Sequence, residues 1–202
     1  MNVSDFLEFE SNMLPDTPGT KFKVSVSHRF GEVEPVYLLL PPDVDDELIA
    51  LKSGEGTETV AQLLGSLPLR GNVYVAALVI DKEMTLEYSG PWAQPVRGIR
   101  VLPDNKETDC VVRLDTGYFT LELCRGTGEG TGSSKWGIRH FEANAEGIDL
   151  LASGNNAIGG FYGPFFTPEN GLINPPEHTI AHVRPIAEGP VQHRYRLSGV
   201  VP

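Results

Sequence analysis

Cysteine is scarce in this chain, which has only Cys110 and Cys124 among its 202 residues. A secreted protein that depends on disulfide bonds would have more cysteines, and these two do not form a Cys-X-X-Cys pair. The first residues contain neither the basic segment nor the apolar segment of a secretory signal. We therefore expect two reduced thiols in a cytoplasmic protein.

Basic residues are also few. Lys and Arg together number 16 against 27 Asp and Glu, which gives a formal net charge of −11. A surface this negative repels phosphate backbones and anionic lipid headgroups, so we expect neither nucleic acid nor a membrane surface as a partner. The longest apolar run, Val73–Ile80, is far shorter than the ~20 residues of a membrane-spanning helix. The chain is expected to be soluble.

Glycine and proline, by contrast, are abundant, with 22 and 16 residues spread along the chain. They separate short apolar runs, a pattern typical of many strands joined by turns. Hydrophobic residues make up 40% of the chain, which is enough for a packed core. The sequence predicts a mainly β protein built as an antiparallel β-sandwich.

One segment of the first half predicts a short helix. In residues 58–67 the apolar side chains follow helical spacing, Thr57 is suited to cap the first turn, and Pro68 would end the helix. The apolar run Val73–Ile80 predicts a buried strand instead, with Met84–Tyr88 as its hairpin partner.

The break at residues 90–92 predicts a division of the chain. Residues 1–92 would form an N-terminal β-rich region and residues 93–202 an antiparallel β-sandwich region, with one continuous domain as the alternative. In the second region, residues 110–114 and 118–124 predict a hairpin around the turn Asp115-Thr116-Gly117. Apolar and polar residues alternate along the returning strand, so it is expected to have one polar face.

His140 and Glu142 are the first candidates for chemistry. They lie two residues apart on the predicted strand 136–143, so their side chains share one face. An imidazole and a carboxylate in this arrangement can act as an acid/base pair. The alternative is a solvated strand face without a catalytic function.

His182 and Arg184 share a face of another predicted strand, residues 179–186. His182 is a candidate general base, and Arg184 a candidate to neutralise an enolate or a carboxylate. The alternative is a structural histidine packed beside Arg184.

A metal site is a weaker alternative for the same segment. His178 and His182 have the i, i+4 spacing of two ligands on a helix, but the preceding prolines and following β-branched residues favour a strand. A third ligand would have to come from Glu177, Glu142 or His140. We expect no metal and no cofactor.

An aromatic loop at residues 161–170 is the most unusual segment. Aromatic rings stack on sugar rings, and carboxylate and amide groups bind hydroxyls, so the loop predicts a carbohydrate site. The alternative is a plug over an open end of the sandwich. The candidate binding residues are Phe161, Phe165, Phe166, Glu169 and Asn170, with Tyr162 as a candidate acid.

A glycine-rich run at 126–132 is similar to a phosphate-binding loop only in composition. Such loops precede a helix whose N-terminus holds the anion, whereas a strand is predicted here, and Glu129 would repel phosphate. We expect a hairpin tip or a lid.

Three segments together resemble a known family. They are Val111–Gly117, Gly159–Pro164 and Ile186–Val191, the last followed by Arg194–Leu197. This combination resembles the galactose-mutarotase-like β-supersandwich of carbohydrate epimerases and polysaccharide lyases, over residues 97–202. The resemblance implies a concave sheet that binds sugar, with His, Glu, Tyr or Arg transferring protons.

The resemblance yields a functional prediction. It implies a carbohydrate-active protein that acts on a sugar or uronate by proton transfer, as a lyase, epimerase or hydrolase component. None of the candidate residues lies in a defined catalytic motif of the family. The family's domain is also longer than the residues that follow position 97, which predicts a fragment or one subunit of a larger assembly. The alternative function is therefore a non-catalytic sugar-binding or accessory subunit, with a second polypeptide or another copy of the chain as partner.

Overall fold

The computed structural model describes residues 14–25, 33–79, 83–103, 110–127, 137–150, 165–167, 171–173 and 180–200. Within these ranges the regular elements are all β-strands, and the strand registers are antiparallel. The predicted mainly β, antiparallel class is confirmed. No helix in the described ranges is long and apolar enough to cross a membrane.

The chain forms two compact units. The first unit comprises Met1–Arg97 and Ile186–His193, and the second comprises Gly98–Pro185 and Arg194–Pro202. The predicted domain division after residue 92 stays a prediction, because compactness alone does not show that either part folds by itself.

The described part of the first unit is built on one antiparallel sheet. Its strands are β1 (Lys21–Ser25), β2 (Glu34–Leu40), β3 (Leu48–Ser53), β4 (Glu58–Leu67), β5 (Gly71–Leu78) and β6 (Glu83–Pro91). Their order in the sheet is β1-β6-β3-β4-β5-β2. The residues just before β1 contact β2, at one end of this order, and β6, the neighbour of β1: Gly19 donates its amide to the Leu39 carbonyl, and the Tyr88 amide donates to the Thr20 carbonyl.

Central strands of this sheet are buried on both faces. On β5, Tyr74 and Ala76 belong to one apolar cluster, while Val73 and Val75 belong to another. Because successive side chains of a strand point to opposite faces, the two clusters lie on opposite sides of the sheet. A strand buried in this way needs an uninterrupted apolar sequence, which is why the prediction of a buried strand in this run is confirmed.

The predicted helix at residues 58–67 is wrong, because this segment forms strand β4. Its backbone pairs with β3 on one side and β5 on the other. Leu63 packs against one apolar cluster, whereas Leu64 and Leu67 belong to the other. This strand has apolar residues on both faces and a register shift between Leu63 and Gly65. Its apolar residues therefore have the same spacing in sequence as those on one face of a helix.

The predicted hairpin between Val73–Ile80 and Met84–Tyr88 is also wrong. Strand β6 pairs with β1 and β3, and β5 pairs with β2 and β4. Both faces of β5 and both of its edges are occupied by other parts of the unit, so adjacency in sequence did not decide the pairing.

A buried glutamine of β4 holds the segment Ile186–His193 in the first unit. Gln62 is only 3% exposed. Its Oε1 accepts hydrogen bonds from the amides of Val191, at 3.0 Å, and Gln192, at 2.8 Å, and its Nε2 donates to the Gln192 carbonyl at 3.0 Å. A side chain at Gly189 would collide with the Gln62 amide, because an added Cβ would lie 2.4 Å from its Cδ.

The second unit contains the remaining strands that are described. They are β7 (Arg100–Leu102), β8 (Cys110–Asp115), β9 (Phe119–Cys124), β10 (Gly126–Thr127), β11 (Gly137–Ala143), β12 (Ile148–Asp149), β13 (Phe165–Thr167), β14 (Gly171–Ile173), β15 (Ile180–Ala187) and β16 (Arg194–Val200). The last two residues of β15 belong to the first unit. One sheet has the order β12-β11-β9-β8-β7, a second has the order β10-β15-β16, and β13 pairs with β14.

The predicted hairpin around residues 115–117 is confirmed. Strands β8 and β9 pair across this turn, the Thr116 amide donates to the Phe119 carbonyl, and Gly117 has φ of 87°, a left-handed conformation that glycine adopts without strain. The predicted strand over residues 136–143 is confirmed as β11. In the glycine-rich run, Gly126 and Thr127 form β10, and the rest lies outside the described residues.

Candidate functional site

The five-stranded sheet of the second unit has one face lined with polar side chains. Alternation along each strand and the register between strands place these residues on a common side. We call this the polar face; it consists of Arg100, Arg113, Asp115, Thr120, Glu122, His140, Glu142 and Asp149. The opposite side is apolar, and the rings of Phe119 and Phe141 are in contact there, with centroids 4.9 Å apart.

His140 of β11 lies between two carboxylates of the polar face. Its Nδ1 is 2.7 Å from Oδ2 of Asp149, and its Nε2 is 3.1 Å from Oε2 of Glu142. The His140 side chain is 25% exposed, so it is partly shielded while still open to solvent. Both hydrogen bonds hold the imidazole ring in one orientation.

The turn after β11 explains how Asp149 reaches the histidine. Gly147, with φ of 61°, donates its amide to the Ala143 carbonyl, and the chain reverses into β12. The register then pairs Asp149 with Glu142. The second oxygen of Asp149, Oδ1, accepts a hydrogen bond from the Phe141 amide at 3.3 Å, which fixes the carboxylate against β11.

This arrangement constrains where protons can lie. A neutral imidazole has one N–H, whereas both ring nitrogens donate in the imidazolium form. If Nδ1 donates to Asp149, the contact between Nε2 and Glu142 requires one more proton, carried either by the ring or by the carboxyl group. A proton carried by Nε2 of His140 or by the Glu142 carboxyl group would bridge these two atoms, which lie 3.1 Å apart.

A second row of the polar face adjoins the histidine. Glu122 lies directly opposite His140 on β9, and on its other side it is opposite Arg113 of β8. Glu122 is 7% exposed, and its Oε1 lies 3.4 Å from Nε of Arg113. The two groups form an ion pair without the geometry of a hydrogen bond at Nε.

Asp115 anchors the far end of the polar face. Its Oδ1 accepts hydrogen bonds from the Gly117 amide at 2.7 Å and from Asn144 Nδ2 at 3.0 Å, and its Oδ2 pairs with Arg100. Asn144 in turn accepts a hydrogen bond from the Thr120 hydroxyl at 2.9 Å. The Gly117 amide, followed by Arg100 and Asn144, holds the pKa of Asp115 below its usual value.

The structure brings together one of the predicted groups and places another on a different sheet. His140 and Glu142 lie side by side, as their spacing predicts. His182 and Arg184 both lie on β15, in the three-stranded sheet, and both are exposed there. Their predicted roles stay predictions.

The predicted aromatic loop is described only in part. Phe165 and Phe166 lie on β13, whose register with β14 pairs them with Ile173 and Leu172. The other predicted residues of this region, and two of the proposed metal ligands, lie outside the described residues: Phe161, Tyr162, Glu169, Asn170, Glu177 and His178. In the parts of the chain that are described, no group of three or more His, Cys, Asp or Glu side chains is arranged to hold a metal ion.

Six of the eight members of the polar face were not among the predicted site residues, including Asp149, Glu122 and Arg113. Alternation along the strand at 118–124 already placed Glu122 on a polar face, and this signal connects it with Arg113 once the hairpin is drawn. Asp149 carried no such signal, because its approach to His140 depends on the register of a two-residue strand.

Comparison of the chain with protein-family models, with curated proteins and with solved structures found no match. The fold and the site therefore define the protein only by class: an antiparallel β protein in which one sheet has a polar face with a histidine held between two carboxylates.

Proposed function

We propose that the polar face binds a polyhydroxylated ligand, a sugar or uronate, and that His140 and Glu142 transfer a proton to or from it. The arrangement of His140 between Asp149 and Glu142 is the observation that supports this proposal. A carboxylate at one ring nitrogen orients an imidazole and stabilises its charged form, which leaves the other nitrogen for acid/base work.

The roles follow from the contacts. Asp149 positions the ring through Nδ1, Nε2 of His140 is the proton acceptor, and Glu142 is the group that supplies or receives the proton. Arg113 lies one strand beyond Glu122 on the same face, where its positive charge would favour a uronate carboxylate or a developing enolate. Arg184 was predicted for that role; because it lies on another sheet than His140, Arg113 is the better-supported choice.

The first experiment measures proton transfer directly. The protein is incubated in D2O with a panel of reducing sugars and uronate-containing oligosaccharides, and deuterium incorporation, anomer exchange and chain cleavage are followed by NMR. We expect turnover of at least one member, and a decrease of about 10²–10⁴-fold in kcat for His140→Ala. Glu142→Gln should lower kcat by a similar factor and alter the pH profile, because it replaces the ionisable partner of His140 Nε2 with a group that cannot give up or take up the proton.

The matched control is His182→Ala, an exposed histidine of the three-stranded sheet. It should leave turnover unchanged if chemistry occurs at the polar face. Thermal denaturation first verifies that the wild-type protein and His140→Ala are both folded. Equal turnover by the two proteins would then contradict the proposal. A loss of activity in His182→Ala alone would transfer the role to β15.

A non-catalytic binding function is the second candidate. It is favoured by the extent to which the polar groups already satisfy one another, most clearly at Asp115, which has three polar partners. In that case the panel gives sugar binding without turnover, and the protein is an accessory subunit that completes a larger partner or associates with another copy. Titration calorimetry with the same sugars separates the two functions.

The sugar proposal also retains the supersandwich fold and a cytoplasmic location as parts of the same hypothesis. A sandwich in which the polar face is the concave surface would place the ligand against His140. The antiparallel five-stranded sheet supports this expectation at the level of architecture.

A further inference from the structure

The two cysteines of the chain occupy directly opposite positions in the β8–β9 hairpin. The register pairs the Cα atoms of Cys110 and Cys124 at the end of the ladder farthest from the turn. Opposite Cα atoms in an antiparallel pair lie about 4.5–5.5 Å apart, within the range of about 4.4–6.8 Å between disulfide-bonded cysteines. The sequence predicted two reduced thiols; the register adds that their backbone positions are directly opposite each other.

We propose that Cys110 and Cys124 form a reversible cross-strand disulfide when the protein meets a low-molecular-weight disulfide such as oxidised glutathione. Opposite residues of a sheet commonly have Cβ atoms about 4.5–5.5 Å apart, and those of a disulfide lie about 3.5–4.5 Å apart. Formation of the bond would therefore draw the two strands closer at this point. A register shift between Cys110 and Val112 places an irregularity of the ladder beside the pair. Such a bulge interrupts regular pairing at this point.

The reaction is a two-step thiol–disulfide exchange. The thiolate of Cys110 attacks one sulfur of oxidised glutathione, which forms a mixed disulfide and releases one glutathione. The thiolate of Cys124 then attacks the Cys110 sulfur, forms the protein disulfide and releases the second glutathione. The protein loses two protons and two electrons, and the reagent gains them. Cys124 is assigned the second step because it is fully buried, away from the reagent.

The bond would join the two strands that carry Arg113 and Glu122. It closes the segment from residue 110 to residue 124, which contains the whole hairpin. Closing a loop of this length restricts the unfolded chain and therefore stabilises the folded one. This inference concerns the hairpin itself and does not depend on the proposed function.

The test uses the full chain in native buffer with oxidised glutathione, followed by alkylation under denaturing, non-reducing conditions and digestion with trypsin. We expect the peptides 107–113 and 114–125 to be recovered as one cross-linked species, which dithiothreitol separates. The oxidised protein should melt roughly 5–10 °C above the reduced protein. Cys110→Ser should show neither the cross-link nor the increase.

Several results would overturn the proposal. These are full alkylation of both cysteines after oxidation, a glutathione adduct that Cys124 never resolves, or a cross-link only between chains. A cross-link that forms in urea but never in native buffer would show that the folded hairpin keeps the sulfurs apart. Because Cys124→Ser places a hydroxyl in a buried position, Cys124→Ala serves as the second variant and must also lose the cross-link.

Discussion

The sheet of the first unit and the five-stranded sheet of the second unit use the same antiparallel pairing in opposite ways. Strand β5 of the first unit has apolar clusters on both faces. Strand β9 of the second unit has Leu121 on one face and Thr120 and Glu122 on the other. A doubly buried sheet packs apolar side chains on two sides, whereas a sheet with a polar face packs them on one side only. The two regions are therefore expected to respond differently to the same kinds of substitution.

The largest effect is expected at Tyr74 in the first unit. This side chain is fully buried, and its hydroxyl lies 2.8 Å from the Asp46 carbonyl and 3.1 Å from the Val44 carbonyl. Burial raises the pKa of Tyr74, so the hydroxyl stays protonated and donates. Tyr74→Ala should lower the free energy of unfolding by about 3–5 kcal/mol, measured by urea denaturation.

Val101 of β7 provides the matched control in the second unit. It is 59% exposed, and Val101→Ala should change the free energy of unfolding by less than about 0.5 kcal/mol. If both substitutions lowered the free energy of unfolding by the same amount, the two sheets would not differ in how burial contributes to their stability.

The next largest effect is expected at Gln62, whose side chain makes hydrogen bonds to the backbone of Val191 and Gln192 as a neighbouring strand would. Gln62→Ala would leave two amides and a carbonyl of the segment Ile186–His193 without their partner, and should cost about 2–4 kcal/mol. Gln192→Ala is the control, because it removes only the side-chain bond to the Tyr37 hydroxyl and should cost about 1 kcal/mol or less. Denaturation of the two variants side by side tests this order.

Protonation should distinguish the two units as the pH falls. Burial lowers the pKa of His193 from its ordinary 6.5, although Glu188 opposes part of this change. The unfolded chain therefore binds a proton more readily than the folded one, and stability is lost as the pH falls below about 6.5. The protection factors of β5 amides, from which the intrinsic pH dependence of exchange has been divided out, should fall between pH 7.5 and 5.5, and this fall should be smaller in His193→Gln.

The second unit should respond at lower pH. Because the folded-state pKa of Asp115 lies below its ordinary 3.8, its stabilising contribution is complete above that value and is lost as the pH falls further. The protection factors of β9 amides should thus fall mainly below about pH 4, and Asp115→Asn should remove that dependence. Simultaneous acid transitions of β5 and β9 would show that the two units open together.

The smallest effect is expected at Leu69, in the turn between β4 and β5. Leu69 has φ of 64° and is fully exposed, so it bears the strain of a left-handed conformation without a packing contribution. Leu69→Gly should raise the free energy of unfolding by about 0.5 kcal/mol after the entropic cost of glycine is subtracted. Leu69→Ala keeps the Cβ atom and should give no gain; equal stabilisation by both would exclude backbone strain as the cause.

The same contrast explains how much could be predicted from the sequence. The polar face was readable where alternation is regular, as at His140 and Glu142, and the tight turn at Gly117 was readable from its residues. In the first unit, residues 58–67 misled because a doubly buried strand has no polar face and its apolar residues fit helical spacing equally well. The contact of Asp149 with His140 was beyond prediction, since it depends on a register that no local pattern specifies.

The division of the first unit into two stretches of sequence has a consequence for synthesis on the ribosome. Gln62 emerges long before its partners at Val191 and Gln192, and at about 5–20 residues per second the interval is several seconds or more. During that time a polar amide destined for the interior has no protein partner, so the nascent first half is exposed to chaperones and to aggregation. The hydrogen bonds of Gln62 that complete the first unit can thus form only after a segment more than a hundred codons downstream has been translated.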